Sequence, residues 1–367
     1  FFKQKTAYEI LSGLVGSEMC IRDSLCTNSL TMINEVRNTV LAIANKNNYG
    51  YISPQDFNLY CEQAQLDIFE DYFYQYNNWI NKENARVSGT GYANIVKGLE
   101  EVVDSFSAEV FLDQTVANLN NANLYDLPQD YYLINKVFYY PSAIFSGTTT
   151  GAQGYKLIDA TGGFVPSPAN PLFEQNPPIG SIIVNTSSNP ITQAYVTAVD
   201  STTTLSLSAD IMANAQNYVV YTNTNITEVE RVNQQKIYML TSSNLTAPTT
   251  QFPAYVLGGA TSNVQAGPNS AIGNTITVYP STIRQKGAVK VQYIRYPVTP
   301  NWTYVTLTGG EPLFNDTAAD YQDFELPLSD QPGLIAKICQ YIGIEIREAD
   351  VYEFGQQEIV QDNQIQT

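Results

Sequence analysis

The hydrophobic repeat of this chain changes period twice, and that switch fixes the class of fold open to it. From Met32, the residues Ile33, Val36, Val40 and Ile43 recur at helical spacing, and the turn residues Asn47-Asn48-Tyr49-Gly50 close the segment. A second helix opens at Ser53, a good N-cap, with Pro54 at the first helical position and Asp56 placed to reach back. Its stripe runs through Phe57, Cys61, Ala64, Ile68, Tyr72, Tyr76 and Trp79, and Phe69, Phe73 and Ile80 widen it, so it needs partners on two sides. A third helix is predicted over 93–106, carried by Ile95, Leu99, Val102 and Val103.

At Tyr125-Asp126-Leu127-Pro128 the pattern turns to strands. Tyr131 to Tyr140 is a dense aromatic and β-branched run that predicts a buried strand. Residues 143–178, rich in Gly, Ser, Thr and Pro, predict a loop or weak hairpin region. Four short strands follow at 180–185, 194–199, 204–207 and 218–221, spaced as in a small barrel or sandwich. Further strands are expected at 228–240, 254–256, 275–279 and 288–294, completing the sheet begun near Leu133, so that the barrel is an insertion. Helical spacing returns after Ser329 and Asp330 with Leu334, Ile335, Ile338, Cys339 and Ile342, and Gly343 is the expected stop. A last helix is expected over 348–362, thinly apolar at Val351, Phe354 and Ile359.

The expected class is therefore α+β: a helical module from the N- and C-terminal segments, and an antiparallel β domain with an inserted small β-barrel. The expected division is a helical segment at 32–110, the β domain at 111–143 and 223–310, the barrel at 144–222, and a helical segment at 311–367. The length of 367 residues allows that many compact parts. Residues 1–31 stand apart. Basic residues precede an apolar stretch there, but Ile10 to Ser17 is broken by Ser12, Gly13 and Gly16, and no small-residue cleavage site follows, so a signal peptide is not expected. The stretch FFKQKTAYEILSGLVGSEMCIRDS resembles translated sequencing adapter, which makes residues 1–31 a non-native leader and Met32 the expected start.

Composition narrows the chemistry. The chain has no histidine, which removes Ser-His-Asp and Cys-His nucleophile pairs, histidine general bases and histidine-ligated metals. A net charge of −17 has the wrong sign for gripping a phosphate backbone. The leader carries Lys3, Lys5 and Arg22 against Glu9, Glu18 and Asp23, so its removal leaves that charge unchanged. Four cysteines match no paired metal-site spacing, and Cys61 and Cys339 fall in apolar helical stripes, the place of small core residues. No run of about 18 apolar residues suggests a membrane span.

Carboxylates are the one abundant titratable class. Asp67, Glu70 and Asp71 share a helical face and could hold a divalent ion, although a solvated face is the simpler expectation. Asp320, Asp323 and Glu325 alternate with Phe324 and Leu326, the pattern of an exposed edge strand, and nothing pairs them with a second acid across a cleft as a glycosidase requires. The stretch Gly147 to Lys156 lacks the Gly-Lys-Ser/Thr ending of a phosphate loop. No catalytic, cofactor-binding or metal-ligating residue is assigned, and an enzyme is not expected.

Three segments together carry a resemblance. They are LYDLPQDYYLINKVFYY (124–140), TVYPSTIRQKGAVKVQYIRYPVTPNWTYV (277–305) and DFELPLSDQPGLIAKICQYIGIEIREADVYEFGQQE (323–358). In this order, after a helical N-terminal segment, they resemble the ring proteins of short-tailed phages, especially the crAss-like group, which form the head-to-tail connector or tail-tube adaptor below the portal. The resemblance implies a virion structural protein assembled in a bacterial cytoplasm. It implies a homo-oligomeric, dodecameric ring that contacts portal and other tail proteins and passes DNA without specific binding or any membrane partner. Acidity suits that role, because a negative lumen repels phosphate, and equally suits mere solubility. Interface residues are expected among Tyr72, Tyr76, Trp79, Val351, Phe354 and Ile359. A carbohydrate- or receptor-binding tail or cell-surface module is the alternative, since Tyr-, Asn- and Thr-rich β surfaces suit sugars.

Overall fold

The stripes fold largely as their spacing requires. The computed structural model describes residues 31–44, 52–85, 95–114, 123–166, 176–222, 224–258 and 275–346. The expected helix over 348–362 lies outside them. The helices are α1 (Met32–Ala44), α2 (Pro54–Ala85), α3 (Ile95–Ser105), α4 (Gln234–Thr241) and α5 (Gln331–Ile346). The strands are β1 (Ser107–Phe111), β2 (Leu124–Asp126), β3 (Tyr131–Tyr139), β4 (Phe145–Thr148), β5 (Gly151–Gln153), β6 (Lys156–Ile158), β7 (Ile182–Asn185), β8 (Thr192–Ser201), β9 (Thr204–Leu207) and β10 (Asn217–Tyr221). They continue as β11 (Thr227–Arg231), β12 (Ala254–Leu257), β13 (Thr275–Tyr279), β14 (Val289–Arg295), β15 (Tyr304–Thr306) and β16 (Pro312–Phe314). The chain is α+β, and it divides into two compact units, crossing between them after Val102 and after Tyr296.

In the first unit, α5 packs on both α1 and α2. Ile33, Val36 and Val40, Phe57, Cys61, Ala64 and Phe69, and Leu334, Ile338 and Ile342 are all buried, which is the driving force for this assembly. Ser53 caps α2, accepting the amide of Asp56 at 3.1 Å while its hydroxyl donates to the Asp56 carboxylate. The acidic stretch after Asp320 is a cap and a brace, not the expected strand. The Asp323 carboxylate accepts the amides of Met32 and Ile33 at 2.9 and 2.8 Å, at the positive end of α1, and Gln322 only bridges to Asn301. Gly343 does not stop α5, which runs on to Ile346, because its backbone is not in the left-handed conformation that a glycine cap uses.

Trp302 is the centre of this unit. It is buried, its indole Nε1 donates to Asn34 Oδ1 at 3.2 Å, its amide donates to Asn58 Oδ1 at 3.0 Å, and the Arg37 guanidinium lies 3.9 Å from its ring. Trp302 also stacks on Tyr304 and Phe314, which pins the β15–β16 hairpin at its base.

The second unit holds two curled sheets. The first has the order β1-β14-β3-β11-β12-β13-β2, antiparallel throughout except for the parallel pair β11 and β12. Its two ends approach, since Asp126 N–H donates to Asp113 C=O at 2.9 Å just beyond β1. Tyr125, Val137, Ile276, Val278, Val289 and Val291 fill the inside. β3 is buried only in its second half, at Val137 and Tyr139, while Leu133 is 43% exposed, so the expected fully buried strand is half-solvated. The segment 228–240 is not one strand. It is strand only to Arg231 and then turns at Asn233 into α4, which places Ile237 inside while Tyr238 and Met239 face out.

The second sheet, inserted between β3 and β11, has the order β4-β10-β7-β8-β9-β6-β5. β4 and β5 are two halves of one bent stretch: Thr149 N–H donates to Gln216 C=O at 2.9 Å on one side, and Thr150 N–H to Ile158 C=O at 2.8 Å on the other. The sheet thus curls until its ends are covalently continuous, which leaves few open edges. The Gly- and Thr-rich run, expected as a loop or weak hairpin, supplies β4 and the antiparallel β5–β6 hairpin. Gly147 is required there, because a Cβ would lie 2.5 Å from Asp159 Oδ2 and 3.0 Å from the Tyr218 hydroxyl. Phe111, Tyr140, Ile182, Val184 and Tyr221 form a cluster that ties this barrel to the first sheet.

Candidate functional site

Two kinds of place in this structure could carry function: a cleft with charged walls, and faces that expose apolar side chains. The cleft belongs to the second unit and has a volume of about 930 Å³. The end of β1, the turn at 126–130 and the turn at 189–191 form its walls. Asp113 pairs with Lys286 at 3.1 Å and accepts the Gln114 amide at 2.6 Å, and Asp130 accepts the Tyr293 hydroxyl at 3.0 Å. These acids are occupied as structural acceptors that fix the turns around the cleft.

Elsewhere the carboxylates that shift do so downward. Burial pushes Asp159 up, but hydrogen bonds from the Thr161 hydroxyl, the Tyr218 hydroxyl and the Thr161 amide outweigh it and hold the group below the ordinary carboxylate range. Asp200 is held down chiefly by the Lys156 ammonium 2.7 Å away, with the Ser206 hydroxyl adding to it. A general acid needs the opposite shift. Burial pushes the Cys339 thiol up to about 12 and raises Cys61 well above the ordinary thiol value, the behaviour of core thiols and not of nucleophiles.

The sequence-derived acidic group on α2 does not gather. Asp67 accepts the Tyr341 hydroxyl at 2.6 Å and lies 3.8 Å from Lys337, while Asp71 accepts from Gln75. Among the described residues, no three Cys, Asp or Glu side chains converge as a metal site.

Of the expected interface residues, Tyr72 is buried inside the first unit and donates to Asp330. Tyr76 is half-buried and donates to Glu100 at 3.0 Å. Trp79 lies on α2 with its side chain outside the described residues, as are Val351, Phe354 and Ile359. The exposed apolar faces lie elsewhere. On α4 and the turns after it, Tyr238 is 62%, Met239 74%, Leu245 95% and Phe252 79% exposed. The β15–β16 hairpin exposes Tyr304, Val305, Leu307 and Leu313. No protein-family model and no curated protein matches this chain.

Both faces share a property. From Ile237 to Ile283 the sequence contains no Asp, Glu, Lys or Arg, and the same is true from Tyr296 to Gly310. Periodicity reading missed these positions because it looks for core stripes. The long charge-free run in an otherwise acidic chain is the signal that could have found them.

Proposed function

We propose that this chain is a structural subunit of an oligomeric assembly, a ring of the head-to-tail connector of a short-tailed phage, and that it does no catalysis. One observation carries the reading: well-formed, charge-free segments expose Tyr238, Met239, Leu245 and Phe252 in a single chain, surface that an assembly covers. The net charge of −17 agrees with a conduit whose wall must not hold DNA. Portal and other tail proteins are the expected neighbours, and the virion is the expected location.

The test is the mass of the full-length chain in solution by light scattering, with negative-stain images of the same sample. Closed dodecameric rings support the reading. A trimer that binds glycans on an array replaces it with the receptor-binding alternative.

A further inference from the structure

We propose that Met239 is a reversible oxidation site, and that its sulfoxide is received by Lys236 one turn back on α4. The structure sorts the described thioethers by access. Met32 (8% exposed) and Met212 (6%) are buried, the second within the barrel core, whereas Met239 is 74% exposed on the outer face of α4. Access decides which sulfur a peroxide reaches. The sulfur electron pair attacks one peroxide oxygen, the O–O bond breaks, and the other oxygen takes up a proton and leaves as water; the sulfur is oxidised by two electrons and the peroxide is reduced.

Two features let this step change the surface and spare the fold. Ile237 anchors α4 in the core while Met239 stands in water, so a polar oxygen on Met239 stays hydrated; at Met32 or Met212 the same oxygen would be buried. The second feature is spacing. Lys236 is exposed and precedes Met239 by three residues, the separation that brings side chains together on a helix surface, and α4, QQKIYMLT, holds no carboxylate to compete for its ammonium. A thioether offers that ammonium only a weak acceptor, whereas a sulfoxide oxygen is a strong one, so oxidation creates a charge-assisted hydrogen bond. The same exposure admits a reductase, which returns the thioether as two thiols become a disulfide and the oxygen leaves as water. The outer face of α4 thus alternates between apolar and polar.

The experiment treats the full-length chain with dilute hydrogen peroxide and follows each methionine by peptide-resolved mass spectrometry. Met239 is expected to oxidise about tenfold faster than Met32 and Met212, with the melting temperature unchanged, and reductases for the two sulfoxide epimers with dithiothreitol should restore it. Hydrogen exchange over 234–241 tests the part of Lys236: oxidation should leave exchange unchanged in the wild type and raise it in Lys236→Ala. Met239 reacting no faster than the buried pair, or a lowered melting temperature, overturns the oxidation site. Equal exchange changes in wild type and Lys236→Ala overturn the part given to Lys236. Light scattering of the same sample reads assembly separately, so either failure leaves the ring reading standing.

Discussion

The carboxylate of Asp323 accepts the backbone N–H of Ile33 at 2.8 Å, across almost the whole length of the chain. It accepts Met32 as well, so two of the unpaired amides that open α1 are satisfied by a residue from the C-terminal segment. The first unit is therefore a product of both chain ends.

Asp323→Ala is expected to destabilise the first unit by about 1–2 kcal/mol, the usual cost of losing a helix cap. Both tryptophans, Trp79 and Trp302, belong to that unit, so tryptophan fluorescence during urea unfolding reads it selectively. An unchanged fluorescence midpoint would show that the cap contributes nothing.

In the barrel, Tyr218 donates to the buried Asp159 carboxylate at 2.7 Å. Tyr218→Phe should cost about 1.5–3 kcal/mol at neutral pH, as expected for a hydrogen bond to a charged group. The folded-state pKa of Asp159 is depressed, so its contribution is present above the unfolded value and is lost as pH falls through the folded one. The gap between wild type and variant should narrow on acidification, as measured by thermal unfolding across a pH series. A constant gap would contradict the assignment.

Gly147→Ala should destabilise the barrel by about 1–3 kcal/mol, because the new methyl group meets Asp159 and Tyr218. Far-UV circular dichroism melts check this, and an unchanged midpoint would show that the site accommodates the methyl group.

Cys61 and Cys339 are buried, and burial raises both thiols far above working pH. Peptide-resolved alkylation at pH 8 should leave both unmodified in the native chain and label both after urea treatment. Rapid native labelling of either would mean that the first unit opens readily.

What the sequence disclosed divides along physical lines. The stripes of α1, α2 and α5 were legible because a helix that buries one face must repeat its apolar residues. The short strands from β7 to β10 were legible from turn chemistry and β-branched runs. The stretch forming β4 and β5 was not, because its part in the barrel is made by backbone hydrogen bonds at Thr149 and Thr150 and by the missing side chain of Gly147. The boundary between β11 and α4 was lost for a related reason: Val229 and Ile237 are both buried, and alternation and helical spacing cannot be told apart over so short a run. The joining of Asn34, Asn58 and Asn301 around Trp302 is a long-range polar match, which no local pattern announces.

The division of the first unit between the two ends of the chain sets an order in time. During synthesis residues 103–296 are made before Trp302 is added. Helix α1, made early, must wait for Asp323 and for the apolar face of α5, which are among the last described residues to appear. A chain that ends at residue 296 thus holds every described strand of the two large sheets but not the segment that caps and covers α1, and the last stretch is what locks that early helix in place.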